Sequence, residues 1–486
     1  MHGEHATSSS VKIFANIFIS FVGAGVLGLP YAFKEAGIWE GIIIMLFVAI
    51  VSMKAMLLLI DCKYKLEERK EVRKLFKVSP IPRPDAEKGD EGGDKEEMET
   101  LMNGTSEEGV VKSGESNGEV HVLSGTKTSK IEVKKSRRFH CSAVKKYHVE
   151  NEHLKELNYG DLAYYALGTK GRLIVEMSIV ISQTGFCCSY LIFISSNLAA
   201  LFQHLTMYHY IVFMLPGCCA LSLLRHLNKL ALFSLMADFA NIFAYTVVFW
   251  FDFEHIHNVP IHPKTMSLEG FPFFLVIAFY CYEGAGMILD LESSVAMDKR
   301  DKFRSIFKMA IISMTGLFIG FGACGYLSFG PETMNIITLN LPDGVLPHAV
   351  QALLSFSLYF TYPVMMFPVI RILEKRLLTD PNNEVIKANL LRLGMVLLTA
   401  VVVVLIPNFT TLMALVGATC CTLLAFILPG LIHWRIFQES RSCLAKVLDV
   451  LLIFMGCIAT VLGTIDALKR LFPSLDPNHT VVDTGI

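Results

Sequence analysis

Apolar residues in this chain gather in long runs, each closed by a short polar stretch. The hydrocarbon core of a bilayer takes about 20 consecutive apolar residues in helical form. Eleven runs reach or approach that length: 11–34, 41–60, 173–201, 211–224, 230–251, 272–291, 306–327, 346–372, 388–406, 412–434 and 447–468. The shortest, 211–224, is followed at once by Arg225, His226 and Lys229. The pattern predicts an all-α integral membrane protein of eleven transmembrane helices.

Composition agrees. Of 486 residues 53% are hydrophobic and 18% charged, against about 25% charged in a soluble protein, and mean hydropathy is +0.49. The charges concentrate between Asp61 and Glu156, and the formal net charge of -1 argues against a nucleic-acid partner. Met1–Ser10 is short and polar, and the first apolar run is too long and Gly-interrupted for a cleavable signal core. Nine of the twelve cysteines, such as Cys187, Cys188, Cys420, Cys421 and Cys457, fall inside apolar runs and read as packing residues. No zinc-site spacing occurs, and neither a metal nor a cofactor is expected.

Lysine and arginine set the orientation, because positively charged loops stay cytoplasmic. With the N-terminus inside, the inner segments hold Lys63, Lys65, Arg69 and Lys70; Arg225 and Lys229; Lys299, Arg300, Lys302 and Arg304; Arg371, Lys375, Arg376 and Lys387; and Arg435, Arg441 and Lys446. The outer ones hold little beyond Lys34, Lys264 and Lys469–Arg470. An even helix count would break this alternation, so it supports eleven spans and an external C-terminus. The division is then 1–66, the N-terminus and helices 1–2; 67–149, an insert; 150–468, helices 3–11; and 469–486, an external tail. The insert is acidic and Gly-rich between basic ends, cannot bury enough apolar surface to fold alone, and reads as a disordered cytoplasmic loop whose partners are unknown. Its basic ends serve to anchor topology, with contact to anionic head groups as the alternative. The outer side carries His204, His209, His255, His257, His262, His348 and His479, either ordinary loop residues or groups suited to an acidic compartment. Asn478-His479-Thr480 is a glycosylation acceptor in the tail, whereas Asn408-Phe409-Thr410 lies too near the membrane and Asn103-Gly104-Thr105 is in the insert.

Two runs are poor helices. Phe21–Pro30, FVGAGVLGLP, holds three glycines and a proline in ten residues. Unwound backbone at membrane depth survives only where it lines a protein-enclosed or watery cavity. Freed N–H groups at such a break can hold a carboxylate, and the carbonyls ending the preceding half-helix can hold an ammonium, which suits the two ends of an amino acid. On the glycines alone, a close helix-packing face is the better reading. The sixth run tips the balance: Glu283 lies mid-run beside Gly284 and Gly286. A carboxyl in the membrane is a functional-site candidate by default and can bind and release a proton, the structural alternative being a hydrogen bond to a neighbouring helix. Breaks in the first and sixth spans are five helix positions apart, as in folds of two inverted five-helix repeats. Ser182, Gln183, Ser355, Ser357, Tyr359 and Thr361 are further polar candidates for the same cavity, and Asn16 reads as buried against protein.

At these residues the chain resembles the amino acid/auxin permease family. FANIFISFVGAGVLGLPYAFKEAG, NYGDLAYYALGTKGR, FYCYEGAG and YFTYPVMMFPVIRILE carry the likeness, which covers nearly everything outside the insert and the last residues. The nearest subgroups are the plant vacuolar neutral and aromatic amino acid transporters and the animal proton-coupled amino acid transporters. The resemblance implies inverted five-helix repeats of the bacterial leucine-transporter type with helices 1 and 6 broken, alternating access, and proton rather than sodium coupling. It also implies that Gly23, Ala24, Gly25 and Val26 present backbone to the substrate and that Tyr280, Cys281, Tyr282, Glu283 and Gly284 form the facing break; Glu283 as the proton-coupling group is read from its own intramembrane position and not from the resemblance. Tyr359 is a further candidate for the substrate. Asn16 stands where the animal proton-coupled members have a histidine, their external cysteine pair is absent, and the insert is atypical; these departures favour the vacuolar-like subgroup. The expectation is a proton-coupled carrier of neutral amino acids in a vacuolar or lysosomal membrane rather than the plasma membrane, moving substrate from an acidic lumen to the cytosol. The alternatives are an amino-acid sensor signalling through the insert, or a sodium-coupled carrier. No nucleophile–base motif suggests an enzyme.

Overall fold

The computed structural model describes residues 9–78, 157–225, 231–255, 264–378, 384–438 and 443–472, and in these residues every regular element is helical. The chain divides into two units, Met1–Arg69 with Leu157–Ile486, and Lys70–Glu156. Helices α1 (Ser10–Phe21) and α2 (Leu29–Ala36) flank a 3₁₀ turn at Ala24–Gly28, followed by α3 (Ile38–Val78), α4 (Tyr159–Phe202), α5 (Met207–Ser222) and α6 (Ala231–His255). Next come α7 (Phe271–Cys281), α8 (Ile288–Ser293), α9 (Arg300–Phe329), α10 (Val345–Leu377) and α11 (Val385–Leu405). Helix α12 (Phe409–Val416) passes through two wide π turns, Gly417–Cys421 and Leu423–Ile427, into α13 (Leu428–Ile436), and α14 (Cys443–Leu471) completes the described chain. Among the described residues seven helices are long and apolar enough to cross a bilayer, eight with the bent pair α1–α2 taken as one span, and α5 and α7 are shorter apolar helices.

The ends of these elements follow their sequence. Asn158 caps α4 by accepting from the Asp161 amide at 2.8 Å, while the Asp161 carboxylate accepts from the Asn158 amide at 3.4 Å. Inside α4 the backbone turns at Gly168, whose φ of 71° is a left-handed value that glycine adopts at no steric cost. Asn408 caps α12 through the Thr411 amide at 2.9 Å.

Lipid-facing surface stays apolar, as at Trp250, Leu405 and Phe454, while charged side chains such as Lys63, Glu292 and Arg392 turn inward and pair. Lys63 and Glu292, both with side chains fully buried, form an ion pair of 2.6 Å between α3 and α8; Tyr64 donates to the same carboxylate at 2.7 Å and Arg300 lies at 3.6 Å. Glu374 of α10 takes Arg392 of α11 at 2.9 Å, and Arg392 also donates to the Ser222 carbonyl at 3.2 Å. At the opposite ends, Arg470 of α14 donates to Glu35 of α2 at 3.1 Å and lies 3.8 Å over the Phe273 ring. Buried charges are stable only when paired in this way.

Three expectations need correction. The insert was expected to begin at residue 67, but α3 runs on to Val78. Its last stretch is built from strong helix formers with spaced opposite charges, such as Lys65 and Glu68 at 3.1 Å, so the helix continues after the apolar run ends. The rest of the insert, and the tail with Asn478, lie outside the described residues. Asn16 is exposed rather than buried, because Ile13 and Ile17 occupy the inward face of α1. Cys457 is likewise exposed, on the outward side of α14.

Candidate functional site

Helix α1 stops at Phe21 because the next residues leave helical geometry: Val22 and Gly23 are extended, with Gly23 at φ -118° and ψ -167°. The 3₁₀ turn then starts at Ala24, and Pro30 sits in the first turn of α2, where its missing N–H costs no hydrogen bond. The two halves meet at 48°. The Gly23 carbonyl accepts from the Tyr245 hydroxyl at 3.2 Å and from the Val26 amide at 3.3 Å. Opposite, α7 ends at Cys281, Tyr282–Met287 is unwound, and α8 restarts at Ile288 under the Gly284 carbonyl, which accepts from the Met287 and Ile288 amides at 3.1 and 2.9 Å.

Glycine lets the two breaks touch. A Cβ at Gly284 would fall within the Phe21 ring, and one at Gly25 would lie 3.1 Å from Cys281 Sγ and 3.2 Å from the Tyr280 ring. At Gly23 the nearest atom to such a Cβ is the Tyr190 hydroxyl, at 4.0 Å. Between the breaks lies a hollow of about 50 Å³ open to the centres of water molecules.

Of the residues singled out in the sequence, Gly23, Ala24, Gly25, Val26, Tyr280, Cys281 and Glu283 line this hollow. Glu283 is 5% exposed; its Oε1 accepts from the Gly286 amide at 3.3 Å, and its Oε2 has no hydrogen-bond partner among the described residues. Tyr280 donates to Ser189 at 3.0 Å and sets its ring edge-on to Phe186, 4.7 Å between centroids.

Others lie elsewhere. Tyr282 points into α9, donating to Thr315 at 2.8 Å with its ring against Phe318. Gly284 sits beneath Phe21. Tyr359 packs against Gly217 of α5, outside the hollow. The lesser polar candidates are spent on other contacts or kept apart: Ser182 donates to the Ile179 carbonyl at 3.2 Å, Ser357 to Ala237 at 3.1 Å and Thr361 to Ser357 at 2.9 Å, while Gln183 and Ser355 are buried away from the hollow. Ser20, Phe21, Phe186, Tyr190, Met287, Phe318 and Met365 complete the wall. Sequence reasoning named none of these as lining; Phe21, adjoining the Gly-rich break, and Met287, just past Gly286, were the ones within its reach. Among the described residues no cluster of His, Cys, Asp or Glu could hold a metal ion.

A helical membrane protein with two broken helices around a buried carboxyl has the architecture of a solute carrier. The family model for transmembrane amino acid transporter proteins matches residues 6–78 and 141–469, and the chain belongs to that family. Among its relatives in Arabidopsis thaliana are Amino acid transporter AVT3C, 30% identical with 96% of this chain and 92% of the relative covered, and Amino acid transporter AVT3A, 30% identical with 97% and 92% covered. Amino acid transporter ANT1 is 30% identical, with 94% of this chain and 91% of the relative covered.

Proposed function

We propose that this transporter carries neutral amino acids with protons from an acidic lumen, that of a vacuole or lysosome, into the cytosol by alternating access. The arrangement is eleven spans in two inverted five-helix repeats, with the lumenal tail glycosylated at Asn478. The carrying observation is the buried, half-partnered Glu283 in the same hollow as the break at Gly23–Val26.

The substrate carboxylate sits on the N–H groups that open the 3₁₀ turn at Ala24 and Gly25, and the ammonium on carbonyls at the end of α1. Glycines at 23 and 25 keep side chains out of that approach. An uncharged side chain suits the wall, whose remaining members are largely aromatic, aliphatic and thioether groups. Glu283 is the one carboxyl in the lining among the described residues, so it is the group that takes the proton from the lumen and gives it to the cytosol. Coupling follows if protonation changes which of the two access states is favoured.

The test is uptake by purified protein in vesicles with an imposed pH difference, a panel of labelled neutral and charged amino acids, and sodium replaced by choline. Uphill accumulation of neutral amino acids driven by acid on the side that becomes lumenal, and indifferent to sodium, is expected. Accumulation that needs sodium, or none under any gradient, would overturn the reading.

A further inference from the structure

Asp252, in the last turn of α6, is fully buried, and neither carboxyl oxygen has a hydrogen-bond partner among the described residues. It sits where α6, α9 and α2 converge. A Cβ on Gly325 of α9 would lie 3.3 Å from Asp252 Oδ2 and 2.6 Å from Pro30 of α2, so this glycine holds α2 tight against α9 beside the carboxyl. Ser328 of α9 donates to the Asp252 backbone carbonyl, not to its side chain. Charged and titratable groups around the junction are engaged elsewhere or turned away. Lys34 of α2 donates to the Thr333 carbonyl at 3.1 Å, Glu35 pairs with Arg470, His255 bonds the Phe251 carbonyl at 2.8 Å, Glu254 is exposed, and Cys324 of α9 is a cysteine outside any disulfide.

An isolated carboxylate in a dry interior costs far more than a neutral carboxyl. The packing of α2 onto α9 is therefore compatible with Asp252 only in its protonated form. We infer that Asp252 is a second proton-binding site, a latch on the outer half of the protein that must be protonated for α2 to close and that ionises when α2 swings away and admits water. This rests on the carrier reading above and adds a separate device to it. The charge asymmetry of the loops puts the end of α6 on the outer side. The latch proton is taken from that side when the gate shuts and returned to it when the gate reopens, so it is bound but not carried.

The closed form binds one proton more than the open form at this site. Above the titration of Asp252, raising the pH therefore weakens closure by up to about tenfold per pH unit. Hydrogen exchange of the α2 amides in lipid nanodiscs, corrected for the intrinsic rate at each pH from about pH 5 to about pH 8, reads this directly. Wild-type protection over residues 29–36 is expected to fall with pH, and Asp252→Asn is expected to abolish that dependence. In Glu283→Gln the dependence should persist. Equal pH dependence in wild type and Asp252→Asn overturns the inference, as does its loss in Glu283→Gln. Should Asp252→Asn fail to accumulate, pH-independent protection in the wild type overturns it alone. A protein that shows the latch but no proton-driven flux would refute the carrier reading while leaving the latch standing.

Discussion

Replacing Glu283 by Gln isolates the coupling proton from the fold. The amide oxygen of Gln keeps the bond from the Gly286 N–H, now 3.3 Å long, and its NH₂ takes the place of an oxygen that has no partner. An unpaired buried amide costs about 1–3 kcal/mol, which a domain of this size tolerates, so the variant should fold. On the proposed mechanism the single carboxyl lining the hollow among the described residues carries one proton with each substrate, and each pH unit across the membrane is then worth about 1.4 kcal/mol, or tenfold in accumulation. A gradient of about two units therefore drives wild-type accumulation of about 100-fold at equilibrium. In Glu283→Gln the ratio should fall to about one, while exchange of labelled for unlabelled amino acid continues because the backbone ligands are untouched. The assay is vesicle uptake taken to its plateau, with counterflow in the same preparation. Accumulation by the variant that still rises tenfold per pH unit would remove Glu283 from the mechanism.

Gly284→Ala drives a methyl into the Phe21 ring, and overpacking of about 1–3 kcal/mol should lower the melting temperature and slow uptake; a variant with the wild-type melting temperature and uptake rate would refute the contact's role. Lys63→Met strands the buried Glu292 with Tyr64 and the more distant Arg300, and a loss of about 3 kcal/mol should appear as a lower melting temperature that a second change, Glu292→Leu, largely restores. Tyr359→Phe should leave both the apparent affinity and the substrate range unchanged in uptake competition, because its hydroxyl lies at Gly217 rather than in the hollow.

The breaks were legible in the sequence because glycine, proline and a carboxyl are all poor residues for a lipid-embedded helix, and their coincidence at Phe21–Pro30 and Tyr280–Gly286 leaves few readings. Orientation about a helix axis was not. Tyr280 and Tyr282 are near neighbours of the same type, yet one faces the hollow and the other bonds Thr315, a difference set by how α7 unwinds. Phe186, Tyr190 and Met365 come from helices where the sequence drew attention to other residues, Ser182 and Gln183 in α4 and Ser355, Ser357, Tyr359 and Thr361 in α10; only the packing of α4 and α10 around the breaks selects the ones that line the hollow. Asp252 falls one residue beyond the apolar run ending at 251, so it reads as a loop charge until α6 is seen to continue to His255. The extension of α3 past its apolar run escaped notice for the same reason: a hydropathy pattern marks where lipid ends, not where a helix does.

Two of the side chains around the hollow are methionines, Met287 beside the second break and Met365 from α10. An unbranched thioether swings among many rotamers at little cost and stays attractive to aliphatic and aromatic surfaces alike. In the proposed mechanism the cradle for the substrate's ends is rigid peptide, while part of the chamber for its variable group is upholstered with movable sulfur-tipped chains. On that mechanism, trading either methionine for a branched residue should narrow the range of side chains accepted without loosening the grip on the amino-acid backbone.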